Sequence, residues 1–183
     1  MASPQIVYDP DLDEPAPLEF LREYWQTQRG ARVMPRRRDI APAHMKAQLP
    51  NVLLCDVMLA GEDFRYRVVG SELQRYFKSN PTGKPMSEAL IPFGADTAKL
   101  TLETYRMVLA RRAPLRIRGT GALYDQTAKY FDALLAPLGD DGMVANMILG
   151  TFVFGWDFEI VRNHAGIIEP DETALARALS AGK

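Results

Sequence analysis

The sequence predicts an α+β domain built on one five-stranded antiparallel sheet. Two strand-like stretches joined by a short turn, 51–60 and 64–70, precede a run of helical patterns, and three more strand-like stretches, 115–121, 128–138 and 143–155, follow it. A two-stranded ribbon alone is barely stable in water, so the early pair and the late triplet must rejoin in a single sheet. The composition agrees: 183 residues, 47% hydrophobic and 25% charged, can bury one ordinary globular core. The expected organisation is a flexible tail over 1–16, a helix and connecting segment over 17–50, the sheet-bearing core over 51–155, and an extension with a helix over 156–183.

The tail combines Asp9, Asp11, Asp13 and Glu14 with prolines and holds no apolar run, the opposite of a secretory signal. Pro17 suits the first turn of a helix, Glu19 favours its positive end, and Gly30 after Arg29 stops it. Leu18, Leu21 and Trp25 form one stripe of that helix, with Phe20 and Tyr24 beside it, so it must dock on something. A connecting segment with Pro35 and the run Arg36, Arg37, Arg38 leads through a short helical stretch to Pro50.

The first strand is almost continuously apolar from Val52 to Leu59, which implies cover on both faces. Gly61, Glu62 and Asp63 turn the chain, and the next strand alternates Phe64, Tyr66 and Val68 against Arg65, Arg67 and Val69. Ser71 reads as the cap of a short helix through Leu73 and Phe77, and Pro81, Gly83 and Pro85 make the following stretch irregular. A longer helix over 97–112 places Ala98, Leu102, Tyr105 and Leu109 on one side. Gly139, Asp140, Asp141 and Gly142 turn the last hairpin, and Pro170 opens a final helix with Leu175 and Leu179 on one face.

Several function classes are disfavoured. With 22 basic and 23 acidic residues, no net field gathers nucleic acid or an anionic membrane. Cys55 is the single cysteine, so neither an internal disulfide nor a cysteine metal cluster is possible, and a cytoplasmic protein is expected. No run approaches the roughly 18 apolar residues of a membrane-spanning helix. His44 and His164 stand apart, without a second ligand at metal spacing. There is no Gly-x-Ser-x-Gly elbow and no Gly-Lys-Ser or Gly-Lys-Thr phosphate loop, and Gly119-Thr120-Gly121 lacks the third glycine of a dinucleotide turn, Tyr124 standing there.

The element order, together with Trp25, Met34-Pro35-Arg36-Arg37-Arg38-Asp39-Ile40-Ala41-Pro42, Leu49-Pro50, Phe64-Arg65-Tyr66-Arg67-Val68-Val69-Gly70, Pro81-Thr82-Gly83-Lys84 and Met147-Ile148-Leu149-Gly150, resembles the PAS domain and, within it, a bacterial family of small stand-alone PAS-fold proteins. Phe77-Lys78 departs from it, since such proteins often carry glycine after the aromatic residue. The resemblance implies a sheet whose concave side, closed by helices, can hold a small ligand, while the other side packs a flanking helix or a second subunit. It implies binding and signalling rather than chemistry, by analogy of fold. Haem-binding PAS domains typically offer a histidine on the helix before the last three strands, and 97–112 has none. Flavin-binding ones carry a reactive cysteine on a short helix, whereas Cys55 falls in a strand and reads as a small buried hydrophobe. No cofactor is expected.

Asp56, Tyr66, Tyr130, Asp132 and Asn146 are polar residues inside predicted strands, and Tyr105 joins them from the long helix as a candidate pocket residue. Any that face inward need a hydrogen-bond partner, which a ligand could supply. Alternation pairs Tyr66 with Val68, Tyr130 with Asp132 and Leu134, and Asn146 with Ile148, but does not say which face is inside. Phe20, Tyr24 and Trp25 are candidates for a homodimer interface.

The leading expectation is a non-catalytic sensory or regulatory module that binds a small, mostly apolar ligand, a protein partner or a second copy. Three alternatives stand beside it. One is a small enzyme using Asp56 or Asp132 as general base in a hydrophobic pocket; another is a dimerisation scaffold without ligand. The last is nucleic-acid contact through Arg36, Arg37 and Arg38 with Arg32 and Lys46, although three consecutive arginines are ordinarily a solvated loop.

Overall fold

The computed structural model describes residues 6–7, 14–77, 79–120 and 130–155. Its elements are β1 (Ile6–Val7), α1 (Ala16–Arg29), β2 (Val52–Met58), β3 (Asp63–Val69), α2 (Ser71–Gln74), α3 (Met86–Ala89), α4 (Ala95–Arg111), β4 (Leu115–Thr120), β5 (Tyr130–Leu138) and β6 (Met147–Gly155). Five antiparallel strands form the expected sheet, in the order β4-β5-β6-β2-β3. The early hairpin and the late meander meet where β6 pairs with β2, Leu54 opposite Leu149. A sixth strand, the two-residue β1, adds to the β4 edge through Ile6 opposite Gly119 and Val7 opposite Arg118, where a tail was expected. The helix expected at 170 and the rest of the extension lie outside the described residues.

The sheet is buried on both faces, as the unbroken apolar run of β2 requires. Leu53 and Cys55 point with Phe64, Tyr66, Phe131, Ile148 and Phe152 towards α2, α3 and α4. Val52 and Leu54 point with Leu134, Ala136, Leu138 and Leu149 towards α1, where Leu18, Leu21 and Trp25 cover them. Burying such side chains stabilises the fold by about 1.5–3 kcal/mol each, before conformational entropy is set against it.

Strict alternation along β3 fails at one position. Leu54 pairs with Val68, but the next residue, Cys55, pairs with Tyr66, so Arg67 is an extra residue in a β-bulge. The bulge puts Val69, not Val68, on the face of Phe64 and Tyr66: Val69 is 5% exposed and Val68 42%. Periodicity assumed an unbroken ladder, which is why it chose the wrong valine.

Polar ties fix the helices over the sheet. Arg106 of α4 donates to the carbonyls of Gly61 and Glu62 at 3.0 and 2.7 Å, in the turn between β2 and β3. Asp63 accepts from the Ser87 hydroxyl at 2.6 Å, anchoring α3. Along the outer edge of β3, Gly83 donates its N–H to the Tyr66 carbonyl and Lys84 accepts from the Tyr66 N–H, so the irregular 81–85 segment straps an otherwise open edge.

Candidate functional site

The helix-side core narrows to a cavity between β2, β3, β6, α2 and α4. Leu53, Tyr66, Leu73, Tyr76, Phe77, Tyr105, Phe152 and Phe154 line it. Its volume is about 10 Å³, at the lower limit for a single water molecule. Strand alternation brings Phe152 and Phe154 inward from β6, beside Gly150 on the same face. A Cβ at Gly150 would come within 2.8 Å of the Leu135 side chain across the ladder.

The rings interlock. Tyr76 lies flat on Phe154 with centroids 3.6 Å apart, and Phe152 runs parallel to Phe154 at 6.2 Å. Phe77 meets Tyr66 and Phe93 edge-on at 5.5 and 5.9 Å, and Phe64 tilts against Tyr105 at 5.2 Å. Such geometries add about 0.5–1.5 kcal/mol per pair beyond area burial. No lining residue carries a charge, and the lining side chains that hold a polar group are Tyr66, Tyr76 and Tyr105. Tyr76 and Phe77 are half-buried on the turn that follows the single-turn helix α2, so they form the outer side of the cavity.

Of the residues singled out from sequence, Tyr66 and Tyr105 reach this cavity. Asp56 and Asp132 face the other way. Asp56 pairs with Arg67 at 3.0 Å, and Asp132, 1% exposed, is held by Arg116. Both therefore stand outside the pocket, as does any general base built on them. Asn146 lies just before β6 rather than in the strand, although its backbone already bonds Leu138 and Val57 on either side. Its amide donates to Asp140 at 2.7 Å, away from the cavity. Tyr130 opens β5, and its side chain lies outside the described residues.

Trp25 and Tyr24, expected at a subunit interface, are spent within the chain. Trp25 donates its indole N–H to the Pro137 carbonyl at 2.7 Å, and the Tyr24 hydroxyl accepts from the Ala41 N–H at 2.9 Å. Phe20, half-buried and stacked on Tyr24, keeps an outward flank. The arginine run is engaged in part: Asp39 accepts from the Arg36 backbone N–H and from Arg32, and Arg37 donates to the Ile40 carbonyl at 3.0 Å, while Arg38 is exposed.

Cys55 is wholly buried, and burial, with Asp56 beside it, pushes its thiol well above the ordinary cysteine value. Among the described residues no three His, Cys, Asp or Glu side chains gather as a metal site. Sequence reasoning missed Tyr76, Phe77, Phe152 and Phe154. The signal available was the alternation of Ile148, Gly150, Phe152 and Phe154 along β6, read together with an aromatic pair just beyond a one-turn helix.

A five-stranded antiparallel sheet in this order, with short helices and one long helix over an aromatic interior, defines a PAS-type α+β module. The PAS-domain family profile matches residues 14–153, and the chain belongs to that family. Comparison with curated proteins and comparison with solved structures each return no match. Membership places the chain among domains that serve in general as sensory and regulatory modules and are typically not catalysts. Among the described residues no helix is long and apolar enough to cross a membrane.

Proposed function

We propose that this chain is a non-catalytic, cytoplasmic sensory module whose cavity accepts a small, flat, mostly apolar ligand in the space now filled by Tyr76 and Phe77. The observation that carries this reading is the lining itself: six aromatic rings and two leucines with no charged group around about 10 Å³. Flat rings stacked at 3.6 Å are the environment an aromatic ligand would meet on replacing Tyr76 against Phe154. Neither haem nor flavin is part of the proposal, since α4 offers no histidine and Cys55 is buried in a strand. The remaining dimer candidate is the flank of α1 around Phe20.

The same filled interior also favours a scaffold that binds no small molecule, and one experiment separates the two. Thermal unfolding of the full chain is followed against increasing indole. A ligand specific for the folded state raises stability as RT ln(1 + [L]/Kd). The expected result is a saturable rise in the parent protein and a larger one in Tyr76→Ala, where the plug is gone. A rise in Tyr76→Ala alone would leave the ring as permanent core and favour the scaffold. No rise in either sinks the ligand reading. Light scattering of the parent and Phe20→Glu then tests the dimer, which the variant should weaken.

A further inference from the structure

The plug of the cavity and the cover of the sheet edge lie on neighbouring pieces of the same stretch of chain. β3 is an edge strand, so its outer backbone groups have no strand to bond, and the residues that follow it return to satisfy them. Gln74, the last residue of α2, donates its side-chain amide to the Val69 carbonyl at 2.8 Å. Further on, Gly83 donates its N–H to the Tyr66 carbonyl at 2.6 Å, and the Lys84 carbonyl accepts from the Tyr66 N–H at 3.1 Å. Tyr76 and Phe77, which fill the cavity, lie in sequence between these two clasps.

Tyr66 joins the two. Its side chain lines the cavity and meets Phe77 edge-on at 5.5 Å, while its backbone holds the strap. The strap's turn is closed by bonds of its own: the Lys84 N–H reaches the Pro81 carbonyl at 3.0 Å, with Gly83 at φ +86 in the third position, and the Thr82 N–H reaches Asn80 Oδ1 at 3.0 Å. It can therefore leave the edge without coming apart. Both ends of the stretch are anchored. Leu73 on one side and Met86 and Leu90 on the other are buried in the helix-side core, and Asp63 holds the Ser87 hydroxyl at 2.6 Å. Between these anchors Gln74, Asn80, Thr82 and Gly83 are exposed, Tyr76 and Phe77 are half-buried, and Pro81 is the one buried residue among those described. Few buried contacts between two fixed points define a unit that opens locally.

We infer that 74–77 and 81–85 act as one switch: the residues that plug the cavity and those that cover β3 leave and return together, so a ligand that enters the cavity uncovers the outer edge of the sheet. The trigger rests on the ligand reading of the cavity, whereas the coupling is a property of the ligand-free chain. In the closed state the Tyr66 N–H and carbonyl and the Val69 carbonyl are bonded. In the open state they face solvent, as the backbone groups of an uncovered edge strand do. An event in the interior is thereby converted into a change at the surface.

The test is native-state hydrogen exchange of the full chain in low, rising denaturant, first without ligand. The amides of Tyr76 and Phe77, bonded to Leu73 and Gln74, and those of Gly83 and Tyr66, bonded across the edge, should share one opening constant within about threefold and one denaturant dependence. Coupling is reciprocal. Tyr76→Ala should speed exchange at Gly83 and Tyr66 about tenfold, and Gly83→Ala, strained at its φ, should speed Tyr76 and Phe77, while Met143 and Val144 at the distant hairpin tip keep their rates. Protection of Gly83 and Tyr66 at the level of Ile148 while Tyr76 and Phe77 exchange faster, or a Tyr76→Ala variant that speeds the plug and not the strap, overturns the switch. Should Tyr76→Ala fold poorly, shared or separate opening constants in the parent decide the same question. Indole is then added at the concentration that saturates its thermal shift, and Gly83 and Tyr66 should exchange faster. A saturable thermal shift with their protection unchanged or raised overturns the switch and leaves the ligand reading standing. No thermal shift, with a shared opening constant in the ligand-free chain, removes the cavity ligand and leaves the coupling standing.

Discussion

Asp132 is the partner of Arg116: both are almost fully buried and joined by two charge-assisted bonds. Breaking one side of such a pair leaves an uncompensated guanidinium, and this typically destabilises by about 3–5 kcal/mol. Asp132→Asn should lose that much in urea unfolding, whereas replacing both members with apolar residues of similar volume should lose far less. A loss under 1 kcal/mol in the single variant would mean that water reaches the pair. Asp141 works differently, at the exposed tip of the last hairpin. Its Oδ1 accepts the backbone N–H groups of Met143 and Val144, both at 2.8 Å, and these bonds hold its carboxyl below the usual aspartate value. A depressed folded value means that the contribution to the hairpin is complete above the ordinary value near pH 4 and fades as pH falls through the lower folded value. Amide shifts of Met143 and Val144 should therefore change with a midpoint below about pH 4. A midpoint at the ordinary value would show that the carboxylate does not hold these amides in solution.

At the scale of elements, the strands were legible because their cause is local. Apolar runs and their turns are written in consecutive residues, and α1 announces its buried stripe through Leu18, Leu21 and Trp25. What remained hidden depends on partners distant in sequence. The bulge at Arg67 exists because β2 and β3 must bury Leu53 with Val69 and Cys55 with Tyr66 at once, and nothing within 63–69 alone signals it. Tyr76 and Phe77 follow a single helical turn and meet Phe154 from far along the chain, so the alternation along β6 and the aromatic pair were each visible in sequence but not their convergence. Gly70 offers a test of how tightly β3 is seated. It donates its N–H to the Val52 carbonyl at 2.8 Å, and a Cβ there would overlap the carbonyl oxygens of Leu49 and Pro50. Gly70→Ala must move backbone and should lose about 2 kcal/mol or more in chemical denaturation. Gly83 has φ +86 and nothing within 4 Å, so Gly83→Ala meets only backbone strain, about 1–2 kcal/mol. If both lose the same amount, the close seating of Gly70 on the 49–50 turn does not persist in solution.

For the molecule as a whole, the sheet is the shared wall of two cores, and this sets where it can open. The inner strands β5 and β6 have a hydrogen-bonded neighbour on each side and packed side chains on both faces. The cavity's outer wall, by contrast, is a single helical turn and the residues after it, with Tyr76 and Phe77 half-buried. Local opening free energies run from near zero for such segments to the global value for central strands. Hydrogen exchange should show this gradient: amides of Leu134, Ala136, Ile148 and Leu149 exchange only through global unfolding, and those of Tyr76 and Phe77 at least about a hundredfold faster. Under the proposed ligand reading, such a gradient is the route by which an interior with about 10 Å³ of free space would admit a ligand, the plug leaving while the sheet stays folded. Affinity is then reduced by the fraction of molecules that are open, so Tyr76→Ala should bind indole more tightly although its stacked pair is lost. Equal protection of Tyr76 and Ile148 would mean that the cavity opens only when the protein unfolds, and a module built that way could respond to partners on its surface but not to a small molecule within.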